Sequence, residues 1–191
     1  MSDLLKKGLA AKRESKYVEF KRWFDPASKS EWCEILKDIV AITNTGGGII
    51  LFGLDSRGQP VSADLSSLLA LDPAKITDQV HKYTGYHFTE FDLVQAAKAG
   101  SALAALVIQG VSIPLVFQRP GTYAVAGGKQ QTAFSQGTVY FRHGAKSEPG
   151  TTEDIRRSIE RQLRRYSQTM ASRCAQGSDG TSRSEGDGRR H

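Results

Sequence analysis

Three carboxylates have the residue type and placement that metal-assisted chemistry needs. Glu14 immediately precedes the alternating segment 17–21 (YVEFK), Glu19 lies within it, and Asp55 is the first charge after the apolar run 49–54. The period of two in 17–21 predicts a strand with Val18 and Phe20 facing inward and Tyr17, Glu19 and Lys21 facing the other way. The apolar run 49–54 predicts a strand buried on both faces. If these strands are neighbours, the three acids converge. Convergent carboxylates repel unless a cation sits among them, and hard oxygen ligands with open positions suit Mg²⁺ or Mn²⁺. Such an ion activates water or stabilises developing charge in phosphodiester cleavage. Lys21 would then stand near the scissile phosphate as an electrostatic stabiliser. The competing reading is that the acids are surface groups paired with Lys16, Lys21 or Arg57, since exposed acids are the rule.

The elements that must position these groups centre on residues 32–58. Ile35, Ile39 and Ile42 recur at steps of four and three, which is one helical face, and Ser30 is the expected helix cap. Gly46, Gly47 and Gly48 stop the helix and let the chain turn into the apolar strand. They follow a helix and precede a strand, the reverse of the strand, loop and helix N-terminus that cradles a phosphate. Gly127-Gly128-Lys129 is followed by Gln130, and Tyr123 stands where the G-x-x-x-x-G-K-[ST] pattern requires glycine. ATP binding therefore has no Walker motif behind it. Glu19-Phe20-Lys21 also matches half of a restriction-type E-x-K motif, but the second acid follows it instead of preceding it.

Elsewhere the pattern predicts helices over 3–12, 64–71, 73–84 and 151–166. It predicts strands over 87–97 and 102–109, joined as a hairpin, and over 138–142, with a further apolar run at 113–119. Residues 126–137 read as a mobile loop and 143–150 as a turn. Strands and helices interleave irregularly, so the expected fold class is α/β in the α+β sense: a compact mixed sheet flanked by helices. The domain should occupy residues 1–166, with a disordered polar tail over 167–191. The chain has 191 residues, 39% hydrophobic and 24% charged, with a net charge of +6, which favours an acidic partner such as nucleic acid. Arg157, Arg161 and Arg164 lie opposite the apolar stripe of the last helix, and Arg142 and Lys146 flank a nearby turn. These five are the candidate nucleic-acid contacts. The two cysteines, Cys33 and Cys174, form no zinc or disulfide framework, and no segment reads as a signal peptide or membrane span. A cytoplasmic setting follows as the simple expectation.

Three blocks, ESKYVEFK, DIVAITNTGGGIILFGLDSRG and TVYFRHGAKSEPGTTEDI, occur in an order that resembles the Schlafen AlbA-type domain, also called the divergent AAA or ATP-binding domain. The resemblance spans roughly residues 5–165. It implies a compact Schlafen-core-like α/β fold and nucleic-acid binding. In Schlafen members that cleave transfer or ribosomal RNA, three acids are catalytic, and carried over they fall on Glu14, Glu19 and Asp55. The implied activity is metal-dependent endoribonuclease action on structured RNA such as tRNA. Alternatives are a non-catalytic nucleic-acid-binding regulator, or an ATP- or nucleotide-binding protein. Nuclease Schlafens build a basic groove from two pseudo-repeated lobes. This chain has one, so a homodimer is expected to restore the second. The zinc site of the animal proteins has no Cys/His counterpart here.

Overall fold

The computed structural model describes residues 3–177. In chain order the elements are α1 (Asp3–Ala10), β1 (Val18–Lys21), α2 (Lys29–Thr45), β2 (Gly47–Phe52), α3 (Ser66–Leu69), α4 (Pro73–Thr84), β3 (Phe91–Lys98), β4 (Ser101–Gln109), β5 (Gly121–Ala124), β6 (Gln130–Phe134), β7 (Tyr140–His143), β8 (Lys146–Pro149) and α5 (Thr152–Gly177). The chain divides into two compact units, Met1–Ser158 and Ile159–His191. The first holds every strand found among the described residues. The described part of the second is the continuation of α5, where Ile159, Leu163 and Tyr166 are exposed.

A four-stranded mixed sheet in the order β1-β2-β4-β3 carries the first unit, with β1 parallel to β2 and the other neighbours antiparallel. Parallel neighbours need a crossover, and α2 supplies it. Ser28 caps α2 by accepting the Glu31 N–H, two residues before the expected Ser30. Gly46 ends it in the left-handed region at φ 118°, a conformation that a side chain resists. The Ile35, Ile39 and Ile42 face is buried against one side of the sheet, with α4 and the stacked Phe117 and Phe134 rings completing that core. The opposite side is covered by α1. Gly8 allows its close approach: a Cβ there would stand 2.7 Å from Ile49 Cγ2. Thus β2, every residue of which is buried, lies between two apolar layers, as its unbroken hydrophobic run requires.

Several expectations are corrected. The loop expected over 126–137 contains β6, which pairs with β5, and the turn expected over 143–150 contains β8, which pairs with β7. Neither hidden strand alternates: β6 is exposed over residues 130–132 and buries Ala133 and Phe134 at its end, and β8 is polar and exposed or half-buried throughout. The apolar run 113–119 forms no strand; it buries Leu115 and Phe117 from a loop. The last helix continues past Tyr166 to Gly177, so residues 167–177 are helical where a disordered tail was expected. Residues 178–191, the rest of that expected tail, lie outside the described residues.

Candidate functional site

Glu19 does occupy the face of β1 opposite Val18 and Phe20, but that face is closed by protein. Its Oε2 is 2.6 Å from an Arg142 terminal nitrogen on β7, and its Oε1 is 2.9 Å from Lys21 Nζ. Lys21 also reaches Asp38 Oδ2 on α2 at 2.7 Å, and Asp38 Oδ1 accepts the Ser147 hydroxyl at 2.7 Å. The second Arg142 terminal nitrogen donates to Ser147 Oγ and lies 3.6 Å from Asp38. Two carboxylates and two cations therefore form a neutral quartet across β1, α2 and β7. Arg142 is 4% exposed, Asp38 5% and Glu19 7%.

Burial raises the Glu19 carboxyl above its ordinary value, and the Asp38 charge adds to this, against the lowering by Lys21 and Arg142. Burial pulls Lys21 down, but the two carboxylates outweigh it and hold its ammonium above the usual lysine range. The arrangement is one in which each charge depends on its partners, because an isolated ion at this depth is costly.

The end of α2 sets the position of β7. The buried Asn44 side chain donates to the Leu115 and Tyr140 carbonyls, each at 3.0 Å, and accepts the Leu115 N–H at 2.7 Å. Thr45 donates to Ala41 O and accepts the Arg142 backbone N–H at 2.9 Å. These two residues at the helix end reach beyond its last turn: they bolt the helix to the strand that carries Arg142.

A concavity of about 460 Å³ opens beside the quartet, at the carboxyl end of β1. Lys21, Arg22, Trp23 and Phe24 form one wall, the first turns of α2 another, and Tyr123 of β5 a third. Tyr123 donates to Glu34 Oε1 at 2.8 Å; burial first, then that bond, push its hydroxyl up to about 12.

The family model described as "Schlafen, AlbA_2" matches residues 14–151, well over half of the chain. The chain belongs to that family. No curated protein gives a significant match to this Schlafen chain. Among solved structures it is similar to the DIP2311 protein of Corynebacterium diphtheriae, at 14% identity and a TM-score of 0.49 over 77% of this chain and 26% of the other. It thus spans about a quarter of that protein. It is also similar to the N-terminal domain of a DNA helicase RecG-related protein of Nitrosomonas europaea, at 17% identity and a TM-score of 0.37 over 78% of this chain and 92% of that domain. Family membership makes this a nucleic-acid-related domain. Among the described residues no helix is long and apolar enough to cross a membrane.

The acids carried over from nucleolytic Schlafens are not gathered on one ion. Glu14 Oε1 accepts the Phe20 N–H at 3.2 Å. Both Glu19 oxygens face cations. Asp55 Oδ1 accepts the Arg57 and Gln59 N–H groups, each at 2.9 Å, and these bonds, Gln59 first, hold it below its ordinary value. Its carboxylate is the keystone of its own turn. Among the described residues no group of three or more His, Cys, Asp or Glu is arranged to hold a metal ion. As arranged, the residues do not fit Mg²⁺ or Mn²⁺.

The expected nucleic-acid contacts separate as well. Arg142 is buried in the quartet and is no surface contact. Arg157 lies 2.8 Å from Glu153, as does Arg156, and that carboxyl is lowered to about 2 by the Arg156 hydrogen bond first and then by Arg157. Lys146 and Arg164 are exposed, and Arg161 is partly so. Asp38 and Ser147 went unnoticed in sequence. Asp38 had a visible signal: it lies on the stripe Ile35, Asp38, Ile42, Thr45, and a charge on a buried helical face needs a buried partner.

Proposed function

We propose that this Schlafen domain binds RNA or another single-stranded nucleic acid as a non-catalytic module. The observation that carries the reading is the neutral Glu19–Lys21–Asp38–Arg142 quartet, which engages the central acid and its neighbouring lysine in holding the fold together. Family membership and the net charge of +6 support a nucleic-acid partner. Exposed Arg22 and Lys146 of the first unit are suited to phosphate contacts that hold a strand without reading its bases, and Arg164 of the second unit is a separate exposed cation. The setting is cytoplasmic in this reading, and a second copy supplies the second lobe, which sedimentation would report as a dimer.

Fluorescence anisotropy with a labelled single-stranded RNA tests it, at several salt concentrations and with or without Mn²⁺. Affinity should fall linearly on a log–log plot against salt, because each neutralised phosphate releases counterions. Asp55→Asn should bind as the wild type does, and the RNA should stay intact with Mn²⁺. Cleavage in Mn²⁺ that Asp55→Asn or Glu19→Gln abolishes would restore the metal-dependent endoribonuclease. Calorimetric heat on adding ATP would favour the nucleotide-binding alternative.

A further inference from the structure

The concavity beside the quartet has features that packing does not account for. The chain's two tryptophans differ sharply. Trp32 is 7% exposed, donates its indole N–H to Pro26 O and meets the Phe24 ring edge-on at 4.9 Å. Trp23 is 57% exposed and stands at the wall of the concavity. An open aromatic face beside a cavity is a stacking platform, since every nucleobase offers a π-face. The volume of about 460 Å³ lies within the range of about 300–1,000 Å³ usual for small-ligand sites.

The polar groups of the wall divide by what they have left to offer. Glu34 has both oxygens engaged, one by Tyr123 and one by Lys37. Glu31 uses Oε2 to accept the Asp25 N–H, and its Oε1 has no partner among the described residues. Arg22 is exposed, and its guanidinium makes no hydrogen bond or ion pair among the described residues. A carboxylate inside the concavity repels a bare anion and invites N–H donors. Guanine alone among the RNA bases presents two adjacent donors, N1–H and the N2 amino group; the open Glu31 Oε1 can accept one, and the second lone pair of Oε2, beside the Asp25 N–H, the other. A cation on the neighbouring wall, Arg22, suits the phosphate that follows the base.

We propose that this concavity receives one unstacked guanine of a single-stranded RNA, its ring on Trp23, its donor edge on Glu31 and its phosphate at Arg22. The assignment rests on the nucleic-acid-binding reading above and adds to it the base that is read. Trp23 supplies sequence-tolerant affinity, and Glu31 supplies the discrimination.

Tryptophan fluorescence of the full chain, titrated with guanosine, adenosine and uridine 5′-monophosphates, tests it. Guanosine monophosphate should quench saturably, and the other two should bind more weakly by roughly tenfold or more, as one good paired contact discriminates. Trp23→Phe should remove the quench by removing the reporter. Glu31→Gln should level the three affinities; the glutamine amide oxygen can still accept the Asp25 N–H, so the loop before α2 is kept. In parallel, anisotropy is measured with guanine-containing and guanine-free RNA. Equal binding of both RNAs with no nucleotide quench, or a preference for adenosine or uridine monophosphate, would overturn the guanine pocket and leave the nucleic-acid reading standing. Loss of all binding, RNA included, would overturn both.

Discussion

Replacing Arg142 by methionine removes one of four balanced charges from the interior. Methionine keeps most of the stem volume, so the effect is electrostatic more than a matter of packing. Glu19 and Asp38, each with a side chain under 10% exposed, would then share Lys21 alone. The Ser15 carbonyl and the Ser147 hydroxyl would also lose a guanidinium donor. Breaking a buried pair from one side costs about 3–5 kcal/mol. With a urea dependence of about 1–3 kcal/mol per molar, the midpoint should fall by about 1–5 M. The double variant Glu19→Gln with Arg142→Met leaves one acid and one base, neutral again. It should therefore be more stable than the sum of the single losses predicts, by about 1–3 kcal/mol. Equilibrium urea denaturation at neutral pH, followed by circular dichroism, measures all four corners of the cycle. A loss below about 1 kcal/mol for Arg142→Met, the range of exposed ion pairs, would refute the reasoning. It would mean that water reaches the quartet and that Glu19 is free for other ligands.

Asn44→Ala should cost at least about 3 kcal/mol in the same assay, because it strands the Leu115 N–H and the Leu115 and Tyr140 carbonyls in the interior. Gly48→Ala should cost about 1–3 kcal/mol, since a Cβ would stand 2.5 Å from the Tyr17 carbonyl oxygen, a backbone atom that cannot swing away. His143 bridges Glu148 and Asp154 and is held above its ordinary 6.5, by the Asp154 hydrogen bond first. Burial raises Asp154, but the Thr151 and His143 hydrogen bonds outweigh it and hold it below 3.8. The His143 contribution is complete below pH 6.5 and is lost as pH rises through its elevated folded value; that of Asp154 is complete above 3.8 and is lost on acidification through its depressed one. The difference in melting temperature between wild type and His143→Gln should therefore peak between those two pH values and shrink in alkaline buffer.

The parts of the fold legible in the sequence are those whose burial is repetitive. Ile35, Ile39 and Ile42 marked α2, the unbroken run into Phe52 marked β2, and the helix expected over 73–84 is α4, with Pro73 in its first turn and Gly85 at its left-handed cap. Strands β6 and β8 stayed hidden because neither alternates: β6 is exposed until its buried Ala133 and Phe134, and β8 is polar, so their pairing follows the partner hairpin strand. Glu19, Lys21 and Asp55 drew attention by type, and Glu19 with Lys21 did prove to be central. What they do could not be read locally. The decisive partner of Glu19 lies 123 residues away, and only the register of β7 against α2 makes them neighbours. Asp55 drew attention as the acid that ends the apolar strand; that its carboxylate accepts the Arg57 and Gln59 N–H groups of its own turn is seen only in the structure.

Arg142 has a consequence for how the protein is made. A chain emerging from the ribosome delivers β1, α2 and β2 early, with Glu19 and Asp38 facing a lone ammonium. The guanidinium that neutralises them arrives about a hundred residues later. Until then the nascent βαβ unit carries a surplus negative charge at its heart and favours an open, hydrated interior. Closure of the first half of the domain thus waits on the last hairpin, which makes early and late segments fold as one cooperative unit instead of in succession.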